Sequence, residues 1–493
     1  MLAFWRGLIL VFERTAFGDA SGTDTESVPR LFYHTLTIFN AIGCHIWGKT
    51  YVYINIEEAK QGNMNKKNIT TLLLALVAIT GQAQVKCHIE GKFMNDKWGD
   101  EVVICKIGTD LRVNDAPEWH HKAVNGRFEC DIETDVPEMY EVIPYKQYVE
   151  TASYYYGWFL VENGTVRIEI YGDKSPKIES TGDEGRLHQA MDSIAGVRFR
   201  NEMERINREL EEHKEKYFKP EFLSLMQIAK NLNRDSLPKA YVDSIEHVMD
   251  YYYDNERESY TDEGWQLFQR ANSLSRLSYP FRTEYYEQHP MLWAYYHVLQ
   301  SIEMLKHTNI YHHFDATPHE QMVALYESKL HNLYKGHPIH EQITTALTAL
   351  RFQPGKPYID YDVRNTDGQI VPISSLIRGK VALIDLWASW CGPCRRHSKT
   401  MIPVYEKYKD KGFTVVAIAR ERKREDMENA AKKDGYPWQS LLELNDENDV
   451  WRKNGAGNGG GAMFLIDRDG TILSTSTDAE ELEPIIKKAL NIE

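Results

Sequence analysis

Val381-Ala382-Leu383-Ile384-Asp385-Leu386-Trp387 is an apolar run broken by one carboxylate, and Cys391-Gly392-Pro393-Cys394 follows closely. An apolar run of that length reads as a strand buried on both faces. Pro393 suits the first turn of a helix, where its missing N–H costs little. The stretch therefore predicts a strand-to-helix junction with the first thiol over free backbone N–H groups. The helix dipole favours a thiolate there, and the thiolate is the attacking species. Cys391 is the candidate nucleophile. Cys394, one turn deeper, is placed to resolve a mixed disulfide by intramolecular attack. Asp385 sits in an otherwise apolar strand, so desolvation should raise its pKa. It is a candidate general base for Cys394, or else a hydrogen-bonded structural aspartate. Arg395 and Arg396 add positive charge nearby.

The chain has 493 residues, room for two to four domains. Its formal net charge of −14 argues against nucleic-acid binding, which needs a basic face. From Lys356 onward 21 Lys+Arg face 22 Asp+Glu, so the acidity lies upstream of the cysteine pair. The other cysteines, Cys44, Cys87, Cys105 and Cys130, are too sparse for a disulfide-stapled scaffold.

Residues 64–83 have the order of a secretory signal peptide. Lys66 and Lys67 come first, Ile69 to Ile79 is uncharged and mostly apolar, and Gly81-Gln82-Ala83 offers small residues two apart. The expectation is that Met64 is the true start and that residues 1–63 are a gene-model artefact or an extension. The mature chain would begin near Gln84, without a membrane span, in the periplasm or envelope of a Gram-negative bacterium. Cys87 lacks the small residue that precedes an acylated cysteine, which argues against a lipoprotein.

Three regions follow. Residues 84–183 read as an antiparallel β sandwich or barrel, with hairpin turns expected at Asn125-Gly126 and Asn163-Gly164. Tyr154-Tyr155-Tyr156 and Trp158 read as sheet packing rather than a ligand surface, and Cys105 and Cys130 as small buried hydrophobes. Residues 184–352 read as helices. Met203, Ile206, Leu210, His213 and Tyr217 recur at helical spacing, Glu204 and Arg208 are four apart, and Pro220, Pro238, Pro280, Pro290 and Pro318 punctuate the region. His312, His313 and His319 carry no metal-ligand spacing, so no metal is expected. Residues 353–493 hold the cysteine pair.

Trp390-Cys391-Gly392-Pro393-Cys394 on this strand resembles the thioredoxin superfamily. Phe413–Ile418 matches the next strand, Met463–Gly470 with Thr471-Ile472-Leu473 a closing hairpin, and residues 479–490 the last helix. The lead-in from Asp367-Gly368 to Gly379-Lys380 resembles the TlpA/ResA-like branch of secreted thiol-disulfide oxidoreductases, which often carry a β-rich domain of unknown function upstream. The resemblance implies a multidomain chain: an N-terminal all-β sandwich or barrel, a helical middle region and a C-terminal α/β thioredoxin fold. It implies disulfide exchange with protein clients and no cofactor beyond the Cys391–Cys394 pair. Clients would dock on Trp390, Gly392, Pro393, Gly460 and Gly461. An exported protein of this kind would draw electrons from a membrane-embedded relay, or act as an oxidant or isomerase. Two positions depart from the family. Gly461 stands where a cis-proline is usual, which unsettles substrate docking, and His397 stands where a glutamate is frequent.

Two other readings compete. A peroxidase would use one cysteine in a Thr-x-x-Cys setting, but Ala388 takes the threonine's place. A non-enzymatic envelope binding or assembly protein with a vestigial redox fold draws support from the glycines at 459–461.

Overall fold

A computed structural model describes residues 84–492, apart from 96, 152–153, 233–236 and 307–314. The segment at Met64 and the His312-His313 pair lie outside the described residues.

The first region pairs a sheet whose burial alternates along each strand with one whose main strands are buried almost throughout. Strands β1 (Val85–Phe93), β4 (Arg127–Thr134), β7 (Gly164–Ile170) and β8 (Lys177–Ser180) form one sheet in the order β4-β1-β7-β8. A second has the order β3-β2-β5-β6, from β2 (Glu101–Lys106), β3 (His120–Lys122), β5 (Glu138–Pro144) and β6 (Gly157–Val161). The two sheets share one apolar core, including Ile89, Ile104, Val142, Phe159 and Ile168.

Asn125 and Gly126 both have positive φ, and Val124 bridges Arg127 across them, so this turn forms as expected. The second turn does not close a hairpin. β6 and β7 lie in different sheets, and β7 pairs with β1 in parallel. Lys86 N donates to Asn163 Oδ1 (2.9 Å), fixing that corner to β1 instead. The region is therefore not purely antiparallel. Alternation marks the strands but carries no information on which partner each takes. Cys105 is fully buried, Cys130 half-buried, and burial pushes both thiols up to about 12. Tyr154 packs edge-on against Tyr148, whereas Tyr155 and Tyr156 are exposed.

The middle region contains α1 (Asp183–Ala195), α2 (Asn201–Glu212), α3 (Pro220–Lys230), α4 (Lys239–Asp254), α5 (Asp262–Gln288), α6 (Leu292–Leu305), α7 (Thr317–Ser328) and α8 (Ile339–Ala349). Ile206 and Leu210 of α2 are buried, but His213 ends that helix and Tyr217 belongs to the next turn. Glu204 lies 4.0 Å from Arg200 rather than pairing with Arg208. Pro220 and Pro318 open helices, yet Pro280 sits inside the 27-residue α5. Tertiary packing there overrides the local signal. The apolar helix α6 buries Leu292, Ala294, Tyr295 and Val298 against α7 and α8. His319 is buried, with its ring beside Ser301 Oγ (3.3 Å) and Tyr279. Among the described residues, no group of three or more His, Cys, Asp or Glu is arranged to hold a metal, and no helix is long and apolar enough to cross a membrane.

The last region is a five-stranded sheet in the order β13-β12-β11-β14-β15. It is built from β11 (Val381–Trp387), β12 (Phe413–Glu421), β13 (Ser440–Leu444), β14 (Met463–Ile466) and β15 (Ile472–Ser474). A short hairpin of β9 (Asp362–Arg364) and β10 (Ile370–Pro372) precedes it. β11 to β13 are parallel, while β14 and β15 close the edge antiparallel. Every residue of β11 is buried, as its composition predicts. Helices α9 (Gly392–Tyr408), α10 (Arg424–Asp434) and α11 (Ala479–Ala489) complete the layers.

Candidate active site

The junction between β11 and α9 places the cysteine pair. Cys391 is the N-cap of α9, and its Sγ accepts from the Cys394 amide (3.3 Å). Pro393 occupies the first turn. The two sulfurs are joined in a disulfide across a Cα–Cα distance of 5.3 Å. Cys391 is only 6% exposed and Cys394 8%.

Asp385 lies beneath this pair on the central strand, flanked by Ala417 and Met463. It is 1% exposed, and burial pushes its carboxyl up to about 7. Ser398 Oγ donates to its Oδ2 (2.7 Å), while Oδ1 has no partner among the described residues. Ser398 lies 3.0 Å from the Cys394 carbonyl oxygen as well. Its hydroxyl thus joins the carboxyl to the backbone of the second cysteine. The spacing of four from Cys394 on a helix could have pointed to Ser398 in the sequence.

Around the pair, the neighbouring ionisable groups have hydrogen-bond partners. Glu421 takes the Ser389 amide and its hydroxyl (2.8 Å). Arg395 forks onto Asp434 (2.6 and 2.9 Å) and donates to Ser389 O (3.1 Å), so it is a structural clasp rather than a solvated charge. His397 is half-buried at the position where a glutamate is frequent.

Gly461 and Gly460 separate clearly. Gly461 N donates to Cys394 Sγ (3.3 Å). A Cβ built on Gly461 would collide with the Leu386 carbonyl group and come within 3.2 Å of Cys394 Sγ. A Cβ on Gly460 would meet nothing within 4 Å. Trp390 packs against Trp451 (ring centroids 5.7 Å, planes tilted by 48°), and the Arg112 guanidinium lies over its ring at 3.9 Å. Arg112 comes from the β2–β3 connection, and no sequence signal near residue 390 pointed to it. Gly392 is open, approached only by the Arg396 guanidinium.

A five-stranded sheet with a Cys-Gly-Pro-Cys disulfide at the N-terminus of the helix after its central strand defines a thioredoxin-superfamily oxidoreductase. The C-terminal region of this chain is such a domain, of the TlpA/ResA-like kind. Residues 354–475 match the AhpC/TSA family. The thiol-disulfide oxidoreductase ResA of Bacillus thuringiensis (strain Al Hakam) is 26% identical over 144 residues, 28% of this chain and 79% of the relative. Among solved structures, the thioredoxin domain of a thiol-disulfide oxidoreductase from Bacteroides vulgatus is 25% identical. It covers 28% of this chain and 99% of its own, with a TM-score of 0.26. A thiol:disulfide interchange protein of the thioredoxin family from Chlorobium tepidum TLS is 25% identical, covering 28% and 97%, with a TM-score of 0.24.

Proposed function

We propose that this chain exchanges disulfides with protein clients outside the cytoplasm. The observation that carries the reading is the Cys391–Cys394 disulfide at a helix N-terminus, with a buried carboxyl of raised pKa beneath it. In the reduced protein, the Cys391 thiolate attacks one sulfur of a client disulfide. That forms a mixed disulfide and releases the client's other sulfur as a thiolate. Asp385 then takes the Cys394 proton, and the Cys394 thiolate attacks Cys391 Sγ. The client leaves with both sulfurs as thiols or thiolates, and the protein keeps the Cys391–Cys394 disulfide. Two electrons pass from protein to client, and the reverse sequence oxidises a dithiol. Trp390, Gly392, Pro393, Gly460 and Gly461 form the docking rim in this reading.

Export rests on the segment starting at Met64, with the mature chain in the periplasm or envelope of a Gram-negative bacterium. A membrane-embedded relay would then supply electrons. A Cys394→Ser variant should accumulate clients as mixed disulfides through Cys391, visible as reductant-sensitive adducts by mass spectrometry. A Cys391→Ser variant that retained full exchange activity would refute the assignment.

The match to the AhpC/TSA family keeps a peroxidase as the second reading. Stopped-flow mixing with hydrogen peroxide separates the two: rapid sulfenate formation on Cys391 would favour the peroxidase.

A further inference from the structure

The segment facing the disulfide contains Gly455, Gly457, Gly459, Gly460 and Gly461. Glycine loses more conformational freedom on ordering than any other residue. Such a segment has little tendency to hold one geometry by itself. Yet Gly461 N must stay within reach of Cys394 Sγ (3.3 Å), against the Leu386 carbonyl.

The upstream regions hold it. Arg112 donates to Asn458 O, and Asn458 Nδ2 donates to Gly108 O (3.2 Å). Asn458 Oδ1 in turn accepts from Arg420 (3.3 Å), which reaches Asp110 Oδ2 (3.1 Å). From the helical region, Lys306 Nζ donates to Gly455 O (2.9 Å). The same Arg112 covers the Trp390 ring. Among the described residues, the backbone groups of Gly459 and Gly460 make no hydrogen bond. Free backbone beside a reactive disulfide fits an extended peptide that adds its own hydrogen bonds there.

We propose that the β2–β3 connection and Lys306 are positioning elements for the glycine segment. Arg112 and Asn458 do by tertiary hydrogen bonds what a proline would do by covalent restraint. They hold Gly459–Gly461 ready for an extended, disulfide-bearing peptide. This role in docking rests on the disulfide-exchange reading above.

The test uses the full chain with Arg112→Gln and, separately, Asn458→Ala; the Arg112 side chain is 39% exposed and Asn458 is half-buried, so neither change opens a core and both variants should fold. Hydrogen exchange of the 455–462 backbone should quicken about tenfold in each, the scale of losing a hydrogen bond to a charged group. With dithiothreitol as reductant, KM for a fluorogenic peptide held by a disulfide should rise about fivefold while kcat stays within about twofold. Reaction of the reduced protein with 5,5′-dithiobis(2-nitrobenzoate), which needs no docking, should not change. Unchanged loop exchange and unchanged KM in both variants would overturn the proposal. So would an equal loss toward the peptide and the small disulfide. A wild-type protein inert toward both substrates would overturn the exchange reading instead, and loop hydrogen exchange would still decide whether the segment is held.

Discussion

Among the described residues, Asp385 is a carboxyl with one donor, Ser398, and one oxygen with no partner. Its ionised form becomes common only as pH rises through about 7. If it serves as base for Cys394, release of a client from the mixed disulfide should speed up across that range. Asp385→Asn should flatten the profile and slow the step by about a hundredfold, the lower range for a lost general base. Single-turnover release measured from pH 5 to 9 checks this, and an unchanged profile in the variant would remove Asp385 from the mechanism. Ser398→Ala removes the donor that favours the carboxylate, so it should move the inflection to higher pH. Both cysteines and Asp385 were legible from spacing because they sit on one strand-helix unit. Ser398 belongs to the same unit and was readable in principle. Arg112 was not, because its place over Trp390 depends on a distant connection.

The glycine segment and β11 meet at Gly461. A Cβ there would strike the carbonyl of Leu386, a central-strand residue whose N–H donates to Ala462 O (2.9 Å). Gly461→Ala should therefore cost about 1–3 kcal/mol or more, as overpacking does, and displace the amide from Cys394 Sγ. Gly460→Ala has open space and should leave stability within about 0.5 kcal/mol. Urea denaturation of the two variants side by side checks the contrast; equal losses would mean the close approach at Gly461 has no energetic weight. The sequence marked Gly461 by comparison with a proline, and that put substrate docking in doubt. In the structure the position is tight, because the missing side chain is what lets the segment approach β11. At the same scale, Asn125-Gly126 makes the expected tight turn, bridged by Val124 and Arg127. At both Asn-Gly pairs, however, the flanking strands join different sheets.

Across the molecule, Arg420 links the regions. It is 4% exposed and bonded to Asp446 (2.5 and 2.6 Å) and to Asp110 of the β2–β3 connection (3.1 Å). Arg420→Met would leave Asp446 without its cation and Asp110 with Arg112 alone, a loss of up to about 3–5 kcal/mol for a broken buried pair. Thermal unfolding should show a lower midpoint, with the upstream β region uncoupling from the C-terminal sheet. A single unshifted transition would contradict the link. Stability should also depend on pH. Burial pushes the carboxyls of Glu141, Asp385 and Glu443 up to about 7. The folded state keeps protons that the unfolded chain loses from about pH 4 upward. Their contribution is thus full below about pH 4, falls as pH rises toward 7, and is flat beyond. Denaturant midpoints at pH 4.5, 6 and 7.5 check the sign, and the triple variant to Gln, Asn and Gln should flatten the slope.

By itself the sequence determined the local units: a fully buried strand, a helix opened by proline, a thiol pair at their junction, and the glycines facing it. Those follow from hydrophobic period, backbone restriction and spacing, which act over a few residues. The tertiary structure alone decided that β1 and β7 run parallel, that Pro280 stays inside a long helix, and that Gly461 is held close. It alone brought Arg112, Asn458 and Arg420 together, with Arg112 over Trp390 and Arg420 over Trp451. Contacts between residues hundreds of positions apart arise from how whole sheets and helices pack. No local pattern records them, and at this site they set the shape of the surface around the disulfide.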